Sequence, residues 1–263
     1  MNKVTPHLFH HLTSKKAQFL TRLISVFLWL AVWDIAARII DRELFLPGPV
    51  SVFSTLLHLA RTHSYRLSIF NSMSNILMGY TAALLAGVLL SAISYKLRAV
   101  REFISLPLRV IRTVPVASFI ILALLWISSE RLALLISFLM VLPIIYENLL
   151  DGLLSIDCGL LEMAYLTKMP VSKKLRRIYL PALLPHLTAA LSTGIGLAWK
   201  SGVAAEVIGI SRSSIGNHLN QSKIYLETPT LFAWTITIII ISIFFEWFVR
   251  LMLKRLAHTR KTQ

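Results

Sequence analysis

The sequence predicts an all-α polytopic membrane protein with six transmembrane helices, and three observations lead to that fold class. Of the 263 residues, 56% are hydrophobic and only 15% are charged, whereas about a quarter of an average soluble domain is charged. The apolar residues form six continuous stretches, each near the roughly 20 residues that a helix needs to cross a bilayer. The charges are unequal, with 27 Lys and Arg against 12 Asp and Glu, so the net charge is +15.

This combination excludes most other classes of protein. A disordered chain lacks such apolar content. A disulfide framework needs paired cysteines, whereas Cys158 is the single cysteine. A nucleic-acid-binding domain would account for the basic charge but not for the hydrophobicity. We therefore expect membrane lipid as a partner and no nucleic acid, and no residue pattern predicts a catalytic site, a cofactor or a metal.

The six predicted spans follow in chain order. They run over about Phe19–Ile40, Ile69–Tyr95, Phe103–Ile127, Leu132–Leu150, Ala182–Gly209 and Thr230–Leu253. The third is the least regular, because Pro107 and Pro115 each remove a backbone donor and disturb a helix. The alternative to six spans is therefore five spans with a re-entrant pair. Residues 1–18 and 256–263 are predicted tails around a membrane domain of residues 19–255.

The basic residues predict the orientation of the spans. Four blocks hold 19 of the 27 Lys and Arg: the chain up to the start of the first span, the segment between spans two and three with the early part of span three, the segment between spans four and five, and the end of span six with the residues after it. Lys and Arg are retained on the cytoplasmic side during insertion. We therefore expect both termini in the cytoplasm.

The segment between spans four and five, at about residues 157–180, is too long for a simple turn. An apolar helical stripe ends at Met169–Pro170, and a basic stretch follows. A short amphipathic helix outside the bilayer can rest at the lipid interface or dock into a groove on another protein. The residues alone leave both interpretations open.

The spacing within this segment resembles the cytoplasmic EAA signature of bacterial ABC importer permeases. That signature reads Glu-Ala-Ala, three residues, Gly, nine residues, Ile, one residue, Leu-Pro. The matching positions here are Glu162, Met163, Ala164, Lys168, Ile178, Leu180 and Pro181. Met163 replaces an Ala and Lys168 replaces the Gly that permits the turn after the first helix. Because proline pushes Met169 out of the helical region, we expect Met169–Pro170, and not a strained Lys168, to make the break.

Other stretches extend the resemblance to permeases of the nitrate, sulfonate and taurine group, which includes permeases proposed for thiamine precursors. They are Leu46–Pro49, Arg112–Pro115, Gly196–Trp199 and Val203–Glu206. The resemblance implies a multi-pass permease of the bacterial plasma (inner) membrane that forms a homodimer. It also implies two copies of a separate ABC ATP-binding subunit and an extracytoplasmic solute-binding protein as partners. Glu162 would face a basic residue of the ATPase, and Ala164 would allow close approach.

The resemblance places ATP hydrolysis on that separate subunit, which agrees with the lack of a phosphate-binding loop motif in this sequence. The chain itself is then not an enzyme. The alternatives are a secondary transporter, for which inverted repeats are typical, and a membrane-embedded enzyme, which needs clustered acidic or histidine residues. Neither pattern is apparent in the sequence.

Span five contains a row of small residues, Gly194, Ala198 and Gly202, that leads to Glu206. Such a row permits close packing of helices within one subunit. The interpretation that we favour places it at the dimer axis and translocation pathway, because Lys200 and Glu206 lie on the same helix and intramembrane charges usually face a cavity or a partner.

Lys200 has two interpretations of equal weight. It lines the pathway, attracting an anionic substrate or forming a gate, or it forms an ion pair with Glu147, Glu206 or Glu246. Arg112 precedes Pro115, where a helix break could expose carbonyl groups to a cavity. Two further pairs, Asp34–Arg38 and Glu246–Arg250, have the i, i+4 spacing of helical ion pairs.

Overall fold

The computed structural model describes residues 15–258. Within that range the chain is built from α-helices and one π-helical turn, with no β-strand. The parts of the predicted tails at residues 1–14 and 259–263 lie outside the described residues. The all-α membrane fold is thus confirmed over the described part of the chain.

Five of the helices are long and apolar enough to cross a bilayer, and they coincide with predicted spans one, two, four, five and six. They are α1 (Lys15–Ile40), α3 (His63–Lys96), α6 (Ser129–Leu154), α9 (Leu180–Gly209) and α11 (Thr228–His258). Shorter helices connect them. These are α2 (Pro49–Ala60), α4 (Arg98–Thr113), α5 (Val116–Ala123), α7 (Cys158–Leu166), α8 (Val171–Lys174) and α10 (Ile215–Ile224).

The irregular third span is a bent pair of helices, α4 and α5, with an angle of 103° between them. Pro115 is the residue that separates them, since it caps the N-terminus of α5. Pro107, in contrast, lies inside α4 without ending it. A broken third span, which would bring the number of spans to six, and a re-entrant pair both fit this geometry.

Two helices were not predicted from the sequence, α2 and α10. Pro49 is the first residue of α2, where its fixed φ favours helix and its missing N–H costs nothing. In α10, the Ser214 hydroxyl caps the helix by accepting from the N–H of Asn217 at 3.1 Å. Both helices are short and lie outside the long apolar runs, so hydropathy alone does not reveal them.

The core lies between α3, α6 and α9, where Ile76, Val141 and Trp199 belong to one apolar cluster. Glycines bring α3 against α6: a Cβ on Gly79 would overlap the carbonyl of Leu134. Small residues at such contacts let membrane helices approach closely. These three helices form the frame that positions the candidate sites.

Candidate coupling segment and translocation site

The coupling segment, defined here as residues 157–180, contains two helices joined by a tight turn. Asp157 starts the first, α7, by accepting from the N–H of Gly159 at 2.8 Å. The second, α8, passes through a π-helical turn at Leu175–Tyr179 directly into α9. The wider π turn accommodates Pro181, whose ring would otherwise clash with the carbonyl four residues earlier. The result is one continuous helix from Val171 to Gly209.

Lys168 makes the turn between these helices, and the expectation that Met169–Pro170 would do so without strain at Lys168 is wrong. Lys168 has a φ of 48°, in the left-handed region that glycine adopts most readily. Its N–H donates to the carbonyl of Tyr165 and the N–H of Met169 donates to that of Ala164, both at 3.0 Å. These two bonds are those of a Schellman motif, which ends a helix through one left-handed residue. Lys168 therefore takes the conformation of the glycine that it replaces.

Ala164 lies inside the segment and not on its surface. It is 2% exposed and packs in a cluster with Leu153, Ile156 and Ile178. Its small side chain thus allows the segment to pack against the end of α6, which corrects the prediction that it allows close approach of another protein. Ile178, the other buried position of the signature, closes the same cluster from the π turn.

The outer surface of the segment is apolar around one carboxylate. Tyr165 is 81% exposed and Leu166 is 78% exposed, and Val171 on α8 is exposed to a similar extent. Glu162 is exposed beside them and forms no ion pair within the described part of the chain. Together with Lys174, it borders a shallow depression of about 490 Å³.

Other signature residues lie at the edges of this surface. Met163 and Lys168 are exposed, Leu180 is half-buried, and Pro181 is exposed at the start of α9. An aromatic contact that the sequence did not suggest joins the segment to α3. The rings of Tyr95 and Tyr179 meet edge to face, with centroids 6.2 Å apart.

The row of small residues on α9 faces the interior of the subunit. A Cβ on Gly194 would lie 3.2 Å from Val141, and one on Gly202 would lie 2.6 Å from Ile76. Ala198 is fully buried, and its carbonyl accepts from the hydroxyl of Ser137 at 3.1 Å. These contacts with α3 and α6 support packing within one subunit, so the favoured placement at the pathway or dimer axis does not apply to these three residues.

Glu206 is also fully buried, and the structure does not place it on a pathway surface. Its Oε2 accepts from the hydroxyl of Ser72 at 2.8 Å and from the N–H of Gly216 at 3.1 Å. Glu206 therefore joins α9 to α3 and to the start of α10. Sequence inspection identified the carboxylate, but neither of its partners carries a signal that could have revealed this contact.

Lys200 differs from these residues because it is exposed on α9. The three carboxylates considered as its partners are engaged elsewhere: Glu206 as above, Glu147 with Arg112, and Glu246 with Arg250 at 3.6 Å. No ion pair of Lys200 is present in the described residues, so the ion-pair alternative is not supported. The predicted Asp34–Arg38 pair is confirmed at 2.8 Å.

Arg112 lies in the last turn of α4, immediately before the bend, and its guanidinium pairs with the carboxylate of Glu147 on α6. The pair lines an open cavity of about 660 Å³ between the two helices, which Arg101, Arg109 and Asp151 also border. The predicted cavity beside the helix break is thus present. Six of the twelve residues that line it carry charged side chains.

Comparison with known proteins places these features in a transport context. Residues 68–258 match the family model described as the binding-protein-dependent transport system inner membrane component. A permease protein of Bacillus subtilis (strain 168) named for the transport of aliphatic sulfonates is 25% identical, over 89% of this chain and 85% of its own length. The taurine transport system permease protein TauC of Escherichia coli (strain K12) is 25% identical, over 85% of this chain and 83% of its own. The nitrate import permease protein NrtB of Synechococcus elongatus is 24% identical, over 74% and 73%.

Proposed function

Since this chain belongs to the binding-protein-dependent transport system inner membrane component family, we propose that it is the transmembrane permease subunit of a bacterial ABC importer. Two copies form the translocation pathway, and both termini of each lie in the cytoplasm. Each copy binds a separate ATP-binding subunit through its coupling segment. An extracytoplasmic solute-binding protein delivers the solute to the opposite face.

The exposed surface around Glu162 carries the coupling role. Large apolar side chains that remain uncovered, such as Tyr165 and Leu166, are typical of an interaction site. A helix that presents them is suited to insertion into a groove on a partner. The lipid interface is the alternative: the basic side chains of the segment, such as Lys168 and Lys173, suit anionic headgroups, whereas the carboxylate of Glu162 does not. A groove that carries a basic residue would neutralise it.

The connection from this surface to the membrane supports a mechanical role. The helix that begins at Val171 in the coupling segment continues without a break to Gly209. The cluster around Ala164 and Ile178 packs the first helix of the segment against this continuous helix. Movement of a bound ATPase would therefore displace α9, which packs against α3 and α6 in the core.

A small anionic solute fits the charges that remain accessible. Lys200 is exposed on a candidate span and is without an ion-pair partner in the described part of the chain. An ammonium group facing lipid near mid-span costs about 2.5–3.5 kcal/mol on insertion scales, whereas a water-filled pathway would hydrate it. Relatives are named for sulfonates, taurine and nitrate, solutes that each carry an anionic group. We expect Lys200→Met to lower uptake of taurine, ethanesulfonate or nitrate without changing the assembly of the complex.

Co-purification tests the coupling role. The tagged chain is expressed with an ABC ATP-binding subunit of the same organism, and the amount of that subunit retained on the membrane complex is measured. We expect Glu162→Arg to abolish retention, since it reverses the charge at the centre of the exposed surface. Glu130→Arg is the matched control: it reverses an exposed carboxylate in the first turn of α6, at the end far from the coupling segment. Retention that is equal in the two variants would refute the proposed docking surface.

A further inference from the structure

The N-terminus of α10 is fastened to two neighbouring helices. The first three backbone N–H groups of a helix have no partner within it, and here each of them donates to a side chain. The bonds are Ile215 N–H to Ser72 Oγ at 3.0 Å, Gly216 N–H to Glu206 Oε2 at 3.1 Å, and Asn217 N–H to Ser214 Oγ at 3.1 Å. Two of these acceptors, on α3 and α9, lie outside α10 and its own cap.

Glu206 is at the centre of this arrangement. One oxygen, Oε2, accepts from both Ser72 and Gly216, while Oε1 is buried and has no hydrogen-bond partner in the described structure. Gly216 is pressed against α9, because a Cβ at this position would overlap the side chain of Glu206 and lie 2.5 Å from the N of Val207. Polar groups buried in this way fix a single arrangement of the helices they join, since breaking one bond leaves another group unsatisfied.

Helix α9, which contains Glu206, is continuous at its other end with the second helix of the coupling segment. From Val171 to Gly209 it has 39 residues, which at a rise of 1.5 Å per residue is about 58 Å. Glu206 lies three residues before the end of this rod. Position 206 and the second helix of the coupling segment are thus at opposite ends of one continuous helix.

We propose that Glu206 is a positioning residue that locks α10 to α9, so that movement of the coupling segment is carried through the rod to α10 on the opposite face of the membrane. The proposal rests on the proposed coupling function. It assigns to α10, the polar helix between spans five and six, a displacement that depends on nucleotide binding at the far side. The lock is made by an acceptor oxygen and does not need a negative charge, so Gln can replace Glu206.

Spin labels on the full chain in complex with its ATP-binding subunit test this in lipid nanodiscs, with ATP and vanadate as the probe. Cys158→Ser gives a cysteine-free background, because Cys158 is the single cysteine. A label is placed at Gln221, exposed on α10, or at Ala189, exposed on the half of α9 nearer the coupling segment. We expect ATP and vanadate to shift the spectrum of both labels. In Glu206→Ala the shift at Gln221 is lost while that at Ala189 remains, and Glu206→Gln retains both.

The outcomes separate the lock from the proposed function. A shift at Gln221 that is as large in Glu206→Ala as in the parent overturns the lock, as does a parent with a shift at Ala189 alone. If neither label responds in the parent, both the coupling function and the lock that depends on it fail. If Glu206→Ala does not assemble, Glu206→Met replaces it, since it keeps most of the side-chain volume and removes the oxygen that accepts from Gly216. A reduced shift at Gln221 then supports the lock, and an undiminished one overturns it.

Discussion

Replacement of Lys168 by glycine should stabilise the turn of the coupling segment. The φ of 48° at this position costs an L-residue about 1–2 kcal/mol relative to glycine. Glycine in turn loses about 0.4–1 kcal/mol through the greater freedom of the unfolded chain. The difference predicts a local gain of roughly 0.5–1 kcal/mol for Lys168→Gly, which is about two- to fivefold in the equilibrium for opening the turn.

Amide hydrogen exchange measures this local equilibrium directly. The informative amides are those of residue 168 and Met169, which close the Schellman motif. We expect their exchange to slow about two- to fivefold in Lys168→Gly, with no change in peptides from α3. Lys168→Ala is the control, because it removes the charge but keeps the Cβ that causes the strain. Equal slowing in both variants, or faster exchange in the glycine variant, would show that the left-handed conformation of Lys168 does not strain the turn.

Three further predictions concern packing and pH. Ala164→Leu should destabilise the fold by about 1–3 kcal/mol through overpacking, whereas Met163→Leu at the exposed neighbour should change the stability by no more than about 0.5 kcal/mol. Unfolding curves in detergent compare the two variants. Equal effects would contradict the buried position of Ala164. Gly202→Ala should likewise lower the stability by about 1–3 kcal/mol. Gly196→Ala should lower it less, because its new methyl group meets only the flexible carboxylate of Glu246. A larger loss in Gly196→Ala would refute this difference. Burial lowers the pKa of His218 below its ordinary value of 6.5, so its contribution to stability is present above pH 6.5 and is lost as the pH falls through the lowered pKa. The melting temperature of the wild type should therefore fall more steeply below pH 6.5 than that of His218→Gln. Parallel curves would count against a lowered pKa of His218.

Hydropathy and helix breakers predicted most of the membrane fold. Five of the six continuous apolar runs correspond to the five long helices, and in the third run Pro115 marks the bend between α4 and α5. Helices α2 and α10 escaped prediction because they are short and their stability depends on packing against the long helices. The hydrogen bonds at the start of α10 include one to Ser72, which is distant in sequence, so no local pattern could reveal them.

The candidate site was predicted in position but less well in orientation. A row of small residues such as Gly194, Ala198 and Gly202 looks the same whether its partner is a helix of the same subunit or of another, and only the packing of α3 and α6 distinguishes them. Ala164 illustrates the same limit, since its spacing places it on a helix but not on a particular face. At Lys168 the signature glycine was a better guide to backbone conformation than the residue present, because the two hydrogen bonds of the turn stabilise the left-handed conformation there.

Uptake into proteoliposomes tests whether this chain is the permease subunit of an ATP-driven importer. The chain and its ATP-binding subunit are reconstituted with ATP inside the vesicles and the solute-binding protein outside, and entry of labelled taurine, ethanesulfonate and nitrate is measured. We expect uptake of at least one of them that requires internal ATP and is lost in Glu162→Arg. Uptake that proceeds without the ATP-binding subunit would rule out the importer, and uptake that Glu162→Arg leaves unchanged would rule out coupling through Glu162.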